Sequence, residues 1–229
     1  MPKTRVLLGS VPGFTMARDS NKANYFSEKT GWFYQLLPTK TVPALRINAV
    51  PMHRFAKIDP KEHTRRIIEA SNPHGKVLDI CTGLGYIAIQ SANRKEVLEV
   101  ITIEKDSEVL EMAKINPASA ELFKNLKIKI VEGDATLEIQ KLESAHFDCV
   151  ICDPPTYVMA PELYSKVFMG DILRVLKKGG TLWFYSASPG KAGGGSSNLA
   201  QRIVKNLGIA GFSELKEDKS STGVVGKKV

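Results

Sequence analysis

Cysteine is scarce in this chain. Of 229 residues only Cys81, Cys149 and Cys152 carry thiols, too few for a disulfide framework. Long apolar runs are missing as well: no segment offers the roughly eighteen uninterrupted apolar residues of a membrane span. The opening Met-Pro-Lys-Thr-Arg is followed by no such run either, so no leader is expected and the expected location is the cytoplasm. Cys149 and Cys152 stand three apart on a candidate strand, which sends them to opposite faces as core thiols and leaves no metal site to expect. No internal repeat is present, and low complexity is confined to 189–197. Acidic residues are thin where they would balance the N-terminal cations. Residues 1–74 hold 12 Lys and Arg against 5 Asp and Glu, net +7, whereas 75–229 hold 20 against 19, net +1. A basic segment joined to a near-neutral remainder suits a polyanionic partner, because Lys and Arg contacts to phosphates supply affinity with little sequence information. A solvated basic surface is the alternative.

Residues 1–58 show no strong helical period. Short β-favouring runs at 6–8, 31–37 and 42–50 are punctuated by glycine and proline, as in strands or hairpins with long connections. This basic β-rich extension is expected to stand apart from a main domain over 59–229. Tyr25, Phe26, Trp32, Phe33 and Tyr34 crowd among Arg18, Lys22, Lys29 and Lys40. Such a mixture is either a small core or a surface for stacking a base, and Trp32 and Tyr34 share a strand face. Next, Asp59, Pro60 and Glu62 spell a helix start with a capping box, running to about residue 70. The loop before it carries His53 and Arg54, either substrate contacts or structural residues.

The informative stretch is Lys76 to Ile89. Apolar residues 77–80 read as a buried strand, 81–85 as a small-residue turn, and Tyr86 onward as an apolar helix, with Gly83 and Gly85 permitting close backbone approach. That geometry aims unpaired helix N-terminal NH groups at a ligand, and an acidic side chain ending the next strand accepts from a ribose. Glu104, followed by Lys105, has that place. The run Gly83 to Ala88 also satisfies G-x-G-x-x-G/A, as a nicotinamide cofactor would want. Asp79 tips the balance. A carboxylate there repels a pyrophosphate and attracts an ammonium, and S-adenosylmethionine has an ammonium and no phosphate. The stretch resembles motif I of class I methyltransferases, with Cys81 in place of the first glycine.

Strand and helix then alternate, so a doubly wound, mostly parallel seven-stranded Rossmann-like sheet is expected. Strands are read at 100–103, 128–131, 147–152, 181–185, 212–215 and 223–225. Helices are read at 107–115, 161–176 and 198–207, with turns at 177–180 and 216–219. Gly133-Asp134-Ala135 ends one strand, and the resemblance implies that Asp134 accepts from the adenine amino group. Asp153-Pro154-Pro155-Thr156-Tyr157 ends another. Two prolines fix that loop and remove NH donors, leaving carbonyl oxygens and a carboxylate as acceptors suited to an incoming amine. The stretch resembles the (Asp/Asn/Ser)-Pro-Pro-(Tyr/Phe) motif of methyltransferases acting on exocyclic amino nitrogens, except that Thr156 intervenes and the aromatic, Tyr157, falls one place late. Thr156 also stands where RNA cytosine-C5 enzymes carry a nucleophilic cysteine, which argues against covalent catalysis.

Residues 76–229 resemble a complete class I S-adenosylmethionine-dependent methyltransferase domain, and the wording of the motifs is similar to a group of predicted archaeal methyltransferases. The resemblance implies S-adenosylmethionine as cofactor and S-adenosylhomocysteine as product. It places Asp79, Cys81, Thr82, Gly83, Gly85, Tyr86, Glu104, Lys105, Asp134, Ala135 and Asp153 at the cofactor, and Asp153, Pro154, Pro155 and Tyr157 at the chemistry. His53, Arg54, Trp32, Tyr34 and, in the glycine-rich loop, Lys191 are the substrate-side candidates. The expected reaction is methyl transfer to an exocyclic base amine in RNA, ribosomal RNA foremost and cytidine N4 favoured. Two alternatives stand beside it: a small-molecule amine methyl- or aminopropyltransferase of polyamine type, and an RNA-binding protein without turnover.

Overall fold

A computed structural model describes residues 14–16, 23–54, 58–186 and 199–229. The run at 6–8 and the glycine-rich segment with Lys191 lie outside the described residues. Five short strands come first: β1 (Phe14–Met16), β2 (Ala23–Ser27), β3 (Trp32–Leu37), β4 (Ala44–Ile47) and β5 (Val50–Pro51). They pair in chain order as an antiparallel sheet. There follow α1 (Pro60–Ser71), β6 (Gly75–Ile80), α2 (Tyr86–Ala92), β7 (Val97–Glu104), α3 (Ser107–Ile115), α4 (Ala120–Lys124), β8 (Ile128–Glu132), α5 (Ala135–Glu138), β9 (Phe147–Cys152), α6 (Lys166–Val175), β10 (Leu176–Tyr185), α7 (Leu199–Ala210), β11 (Phe212–Asp218) and β12 (Gly223–Lys228).

The seven later strands make one sheet in the order β11-β12-β10-β9-β6-β7-β8. Strands β6 to β10 run parallel, and β12 is antiparallel to both of its neighbours. Strand order reverses at β6, flanked by β7 and β9, which opens a crevice beyond the strands' C-terminal ends. Side chains alternate across the sheet. Val77, Cys149 and Ile151 face α1, α2 and α3, while Leu78, Val150 and Cys152 face α6 and α7. The two thiols therefore part to opposite faces, as their spacing predicts. The N-terminal sheet joins the first of these cores through Tyr34, Leu36, Leu45 and Ile47. Each such burial is worth about 1.5–3 kcal/mol, enough in sum to fix that sheet against the larger one.

Local departures from the sequence expectations have local causes. Asp59 does cap α1, accepting from the Lys61 N–H at 3.0 Å. Glu62 closes no capping box; it binds Arg65 and Arg66 on the solvent side. The expected helix over 161–176 is broken, because the Ser165 hydroxyl accepts from the Phe168 N–H and starts α6 afresh after a 3-10 turn at Pro161–Tyr164. The expected turn at 177–180 is a register shift inside β10, with Gly179 at φ 79°. Strand β11 extends through Asp218, so the polar turn falls at 219–222. Among the described residues no helix is long and apolar enough to cross a membrane.

Candidate active site

A cavity of about 920 Å³ lies between the C-terminal ends of the parallel strands and the N-terminal sheet. Its floor is the turn after β6. Both the Cys81 and Thr82 N–H groups donate to the Ile103 carbonyl at 3.0 Å, which drives the backbone through the left-handed region: φ is 72° at Cys81, 55° at Gly83 and 78° at Gly85. A Cβ on Gly83 would meet no atom within 4 Å, so this glycine borders open space. A Cβ on Gly85 would stand 2.6 Å from Leu122. The first glycine serves the cavity and the second serves packing against α4. Tyr86 begins α2 with its hydroxyl donating to the Pro43 carbonyl and accepting from Asn116, both at 2.8 Å.

Asp79 sits on β6 beneath this turn, fully buried and not among the cavity-lining residues. Register places it opposite Thr102, whose hydroxyl donates to Asp79 Oδ2 at 2.7 Å and stands 2.6 Å from the Thr82 hydroxyl. Its Oδ1 has no hydrogen-bond partner among the described residues. Burial pushes the Asp79 carboxyl up to about 8, with the negative charges of Asp153 and Glu104 adding to it. Glu104, at the end of β7, lines the cavity and accepts the Gly83 N–H at 2.9 Å and the Asp106 N–H at 3.0 Å. Two-coordinate carboxylate oxygens keep lone pairs for further donors. Asp134 caps α5 through Thr136 and pairs with Lys105 at 2.7 Å, and Asp134, Lys105 and Ala135 all border the cavity.

Across the crevice, β9 ends in the Asp-Pro-Pro loop. The Asp153 N–H donates to the Ile80 carbonyl at 3.1 Å, and its side chain lines the cavity with no hydrogen-bond partner among the described residues. Burial alone pushes this carboxyl up to about 7. Pro155 gives its carbonyl to the Tyr164 hydroxyl at 2.9 Å. The Pro154 carbonyl has no such partner among the described residues, so the open acceptors are Asp153 and Pro154. Tyr157 is turned away from the cavity: its ring packs edge-on to Tyr164 at 5.6 Å, and the Arg202 guanidinium lies 5.5 Å from its centre. Cys152 is buried in the sheet and its thiol is pushed well up.

The N-terminal sheet and α1 form the remaining wall. Trp32 is 43% exposed and borders the cavity. Tyr34, which sequence pairs with it for stacking, is fully buried; its hydroxyl donates to Asp106 Oδ2 at 2.7 Å, so it anchors β3 to the start of α3 and is closed to a base. His53 and Arg54 reach the cavity wall. So do His63 of α1 and Tyr185, the last residue of β10, neither of which sequence reasoning singled out. Tyr185 carries a readable signal, since ligands gather at the C-terminal ends of parallel strands. His63 carries none, because it reaches the wall through a contact 158 residues away, with the Ser221 carbonyl. Among the described residues no group of three His, Cys, Asp or Glu side chains is placed to hold a metal.

A family model described as the methyltransferase small domain matches residues 62–192, more than half of the chain. The chain belongs to this methyltransferase family. An uncharacterized protein of Methanocaldococcus jannaschii is 44% identical over 198 residues, spanning 86% of this chain and 67% of that one. Release factor glutamine methyltransferase of Clostridium acetobutylicum is 30% identical over 110 residues, 45% of this chain and 37% of that protein. Among solved structures, a spermidine synthase in complex with the transition-state analogue AdoDATO matches with a TM-score of 0.68 at 15% identity, covering 85% of this chain and 69% of that one. At that identity the likeness speaks for the fold.

Membership in the methyltransferase family assigns S-adenosylmethionine as the methyl donor, and the cavity fits it. Gly83 leaves the space that a Cβ would fill, Glu104 keeps acceptors open to hydroxyl donors, and an Asp79 oxygen and the Asp153 carboxylate, both unpartnered among the described residues, favour a cation nearby. The two raised carboxyls also set a pH dependence. Unfolded aspartate titrates near 3.9, so their protonated forms stabilise the fold at low pH, and that contribution is lost as pH rises through about 7 and 8. A cationic ligand reverses the penalty. We expect S-adenosylmethionine affinity by calorimetry to rise from pH 5.5 to about 7.5, with proton release. It then falls above roughly 8 as the ligand's own α-ammonium deprotonates. Affinity independent of pH over this window counts against both carboxylates.

Proposed function

We propose that the protein transfers a methyl group from S-adenosylmethionine to an exocyclic amino nitrogen of a base in RNA, ribosomal RNA foremost, with cytidine N4 favoured. What supports this is the pair of open acceptors, Asp153 and the Pro154 carbonyl, on a loop whose prolines offer no competing donor. The glycine turn, Glu104 and Asp134 would hold the cofactor, and Asp79 would act through the buried field behind the turn. When bound, S-adenosylmethionine would supply an electrophilic methyl group, its sulfur keeping the electron pair of the broken sulfur–methyl bond and leaving as S-adenosylhomocysteine. An aromatic amine is a weak nucleophile because its lone pair is delocalised into the ring. Asp153 and Pro154 accept its two hydrogens and orient the nitrogen, and an Asp153 carboxylate near neutrality takes the proton released as the nitrogen–carbon bond forms. The base must leave its stack to enter. Trp32 offers it a flat face at the mouth, and the net +7 of residues 1–74 attracts the phosphates around it. On this view residues 1–58 are the recognition segment and 59–229 the catalytic domain.

A polyamine-type transferase is the second reading, favoured by the carboxylates of Glu104, Asp134, Asp153 and Glu162 around the cavity. Labelled methyl transfer into total RNA from a deletion strain, followed by nucleoside mass analysis, separates the readings. A labelled N-methyl base is expected. Label found only in a small-molecule or protein fraction retires the RNA substrate, and cofactor binding with no labelled product in any fraction leaves a binding protein without turnover.

A further inference from the structure

Two histidines in the cavity wall have their tautomers fixed by what they touch. The Leu45 N–H donates to His53 Nδ1 at 3.2 Å, so that nitrogen is bare and the ring hydrogen sits on Nε2. The ring is held against Tyr86, 5.4 Å between centres, and the Tyr86 hydroxyl is itself tied at both lone pair and proton. His53 Nε2–H has no partner among the described residues. At His63 the order is reversed: Nε2 stands 3.0 Å from the Ser221 carbonyl, which only accepts, so Nε2 carries the hydrogen. Both rings are neutral. Burial holds each below the ordinary histidine range, His53 near 4 with His63 adding to the effect. His53 therefore presents an uncharged donor of fixed sense in the same cavity where Asp153 and Pro154 present acceptors.

An exocyclic base amine has a fixed neighbour. In cytosine the amino group adjoins the bare ring nitrogen N3, and in adenine it adjoins N1; each is an acceptor conjugated with the amine. Acceptors for the two amino hydrogens and one neutral donor lining the same cavity carry the complementary hydrogen-bonding groups for that edge. A protonated polyamine offers only donors and would leave the His53 Nε2–H without an acceptor, a penalty of the kind that gives polar sites their selectivity. Resting on the amino-base reading above, we infer that His53 is the specificity-determining donor, its Nε2–H reading the ring nitrogen beside the amine that is methylated.

Two substitutions separate recognition from structure. His53→Asn places an amide oxygen where Nδ1 stands, keeping an acceptor for the Leu45 N–H, but stops short of Nε2. His53→Gln carries an amide NH₂ out to the reach of Nε2 and gives up that acceptor. With total RNA from the deletion strain as substrate, His53→Gln should keep kcat/KM within about tenfold of wild type. His53→Asn should lose roughly 100-fold, chiefly in KM, with S-adenosylmethionine affinity unchanged within about twofold. The opposite order, or equal loss in both, overturns the donor role. A measurement free of substitution uses nucleosides as competitive inhibitors of the wild-type enzyme. Cytidine should bind at least about fivefold tighter than 3-deazacytidine, which lacks only the ring nitrogen, and equal binding overturns the inference. Wild-type label in protein or small molecules and not in RNA instead rejects the amino-base reading itself.

Discussion

Asp153→Ala is expected to lower turnover by roughly 10²–10⁴-fold, the range for removing a positioned proton acceptor, while S-adenosylmethionine affinity falls by about tenfold or less, the share lost with one carboxylate facing the cofactor's cation. The asymmetry follows from where the side chain stands. Asp153 lines the cavity without a partner among the described residues, whereas the cavity floor is built by Gly83 in the turn after β6 and by Glu104 and the Ile103 carbonyl at the end of β7. Asp153→Asn refines the test. Its amide oxygen restores one acceptor for an amino hydrogen but takes up no proton, so it should fall between Ala and wild type. Burial raises the wild-type carboxyl to about 7, and only the ionised form accepts a proton. The wild-type rate should therefore climb about tenfold per pH unit below 7 and level off above it, while the Asn variant stays flat from pH 6 to 8. A cofactor ammonium beside Asp153 stabilises the carboxylate, so the inflection in kcat should lie below that in kcat/KM. Turnover unchanged in Asp153→Ala would move the chemistry to another acceptor and retire this role.

Much of the larger sheet was legible because β6, β9 and the end of β10 carry short apolar runs, and β8 and β9 lead directly into Gly133-Asp134 and Asp153-Pro154, signals that survive any tertiary context. The start of α3 at Ser107 and the span of β9 agree with the expected bounds. What was not legible depends on contacts distant in sequence. Tyr34 reads as an aromatic among lysines, and only the docking of β3 on α3 shows that its hydroxyl is committed to Asp106, 72 residues away. Tyr157 reads as a displaced stacking residue. The turn that follows the prolines sends it outward to Tyr164 and Arg202, a direction that spacing alone does not encode. Asp79 reads as a ligand contact, yet the register of β6 against β7 turns it beneath the floor, where Thr102 takes one of its oxygens. His63 and Tyr185 enter the cavity wall from elements 122 residues apart in number, brought together by the same strand order that creates the crevice.

The turn that makes the floor yields the other large effect, because its three left-handed residues have different neighbours. Gly85→Ala combines backbone strain with a Cβ 2.6 Å from Leu122, which is itself buried in the core. Left-handed backbone costs about 1–2 kcal/mol and overpacking about 1–3 kcal/mol, so the sum is roughly 2–5 kcal/mol. At this chain length that lowers the melting temperature by roughly 5–15 °C. Gly83→Ala meets no atom within 4 Å and suffers only the backbone strain of about 1–2 kcal/mol. Its methyl instead projects into the open space beside the cavity floor, so the larger loss should be in S-adenosylmethionine affinity, about tenfold or more. Cys81→Gly runs the other way: relief of strain at φ 72° offsets the lost side-chain packing, leaving stability within about 1 kcal/mol of wild type. Thermal melts and calorimetry on the three variants give a stability order of Cys81→Gly, Gly83→Ala, Gly85→Ala. The affinity loss belongs to Gly83→Ala beyond anything its melting temperature explains. If Gly83→Ala bound the cofactor as wild type does, the space at Gly83 would not be where the ligand approaches, and the cradle would have to lie farther along the cavity toward Asp134.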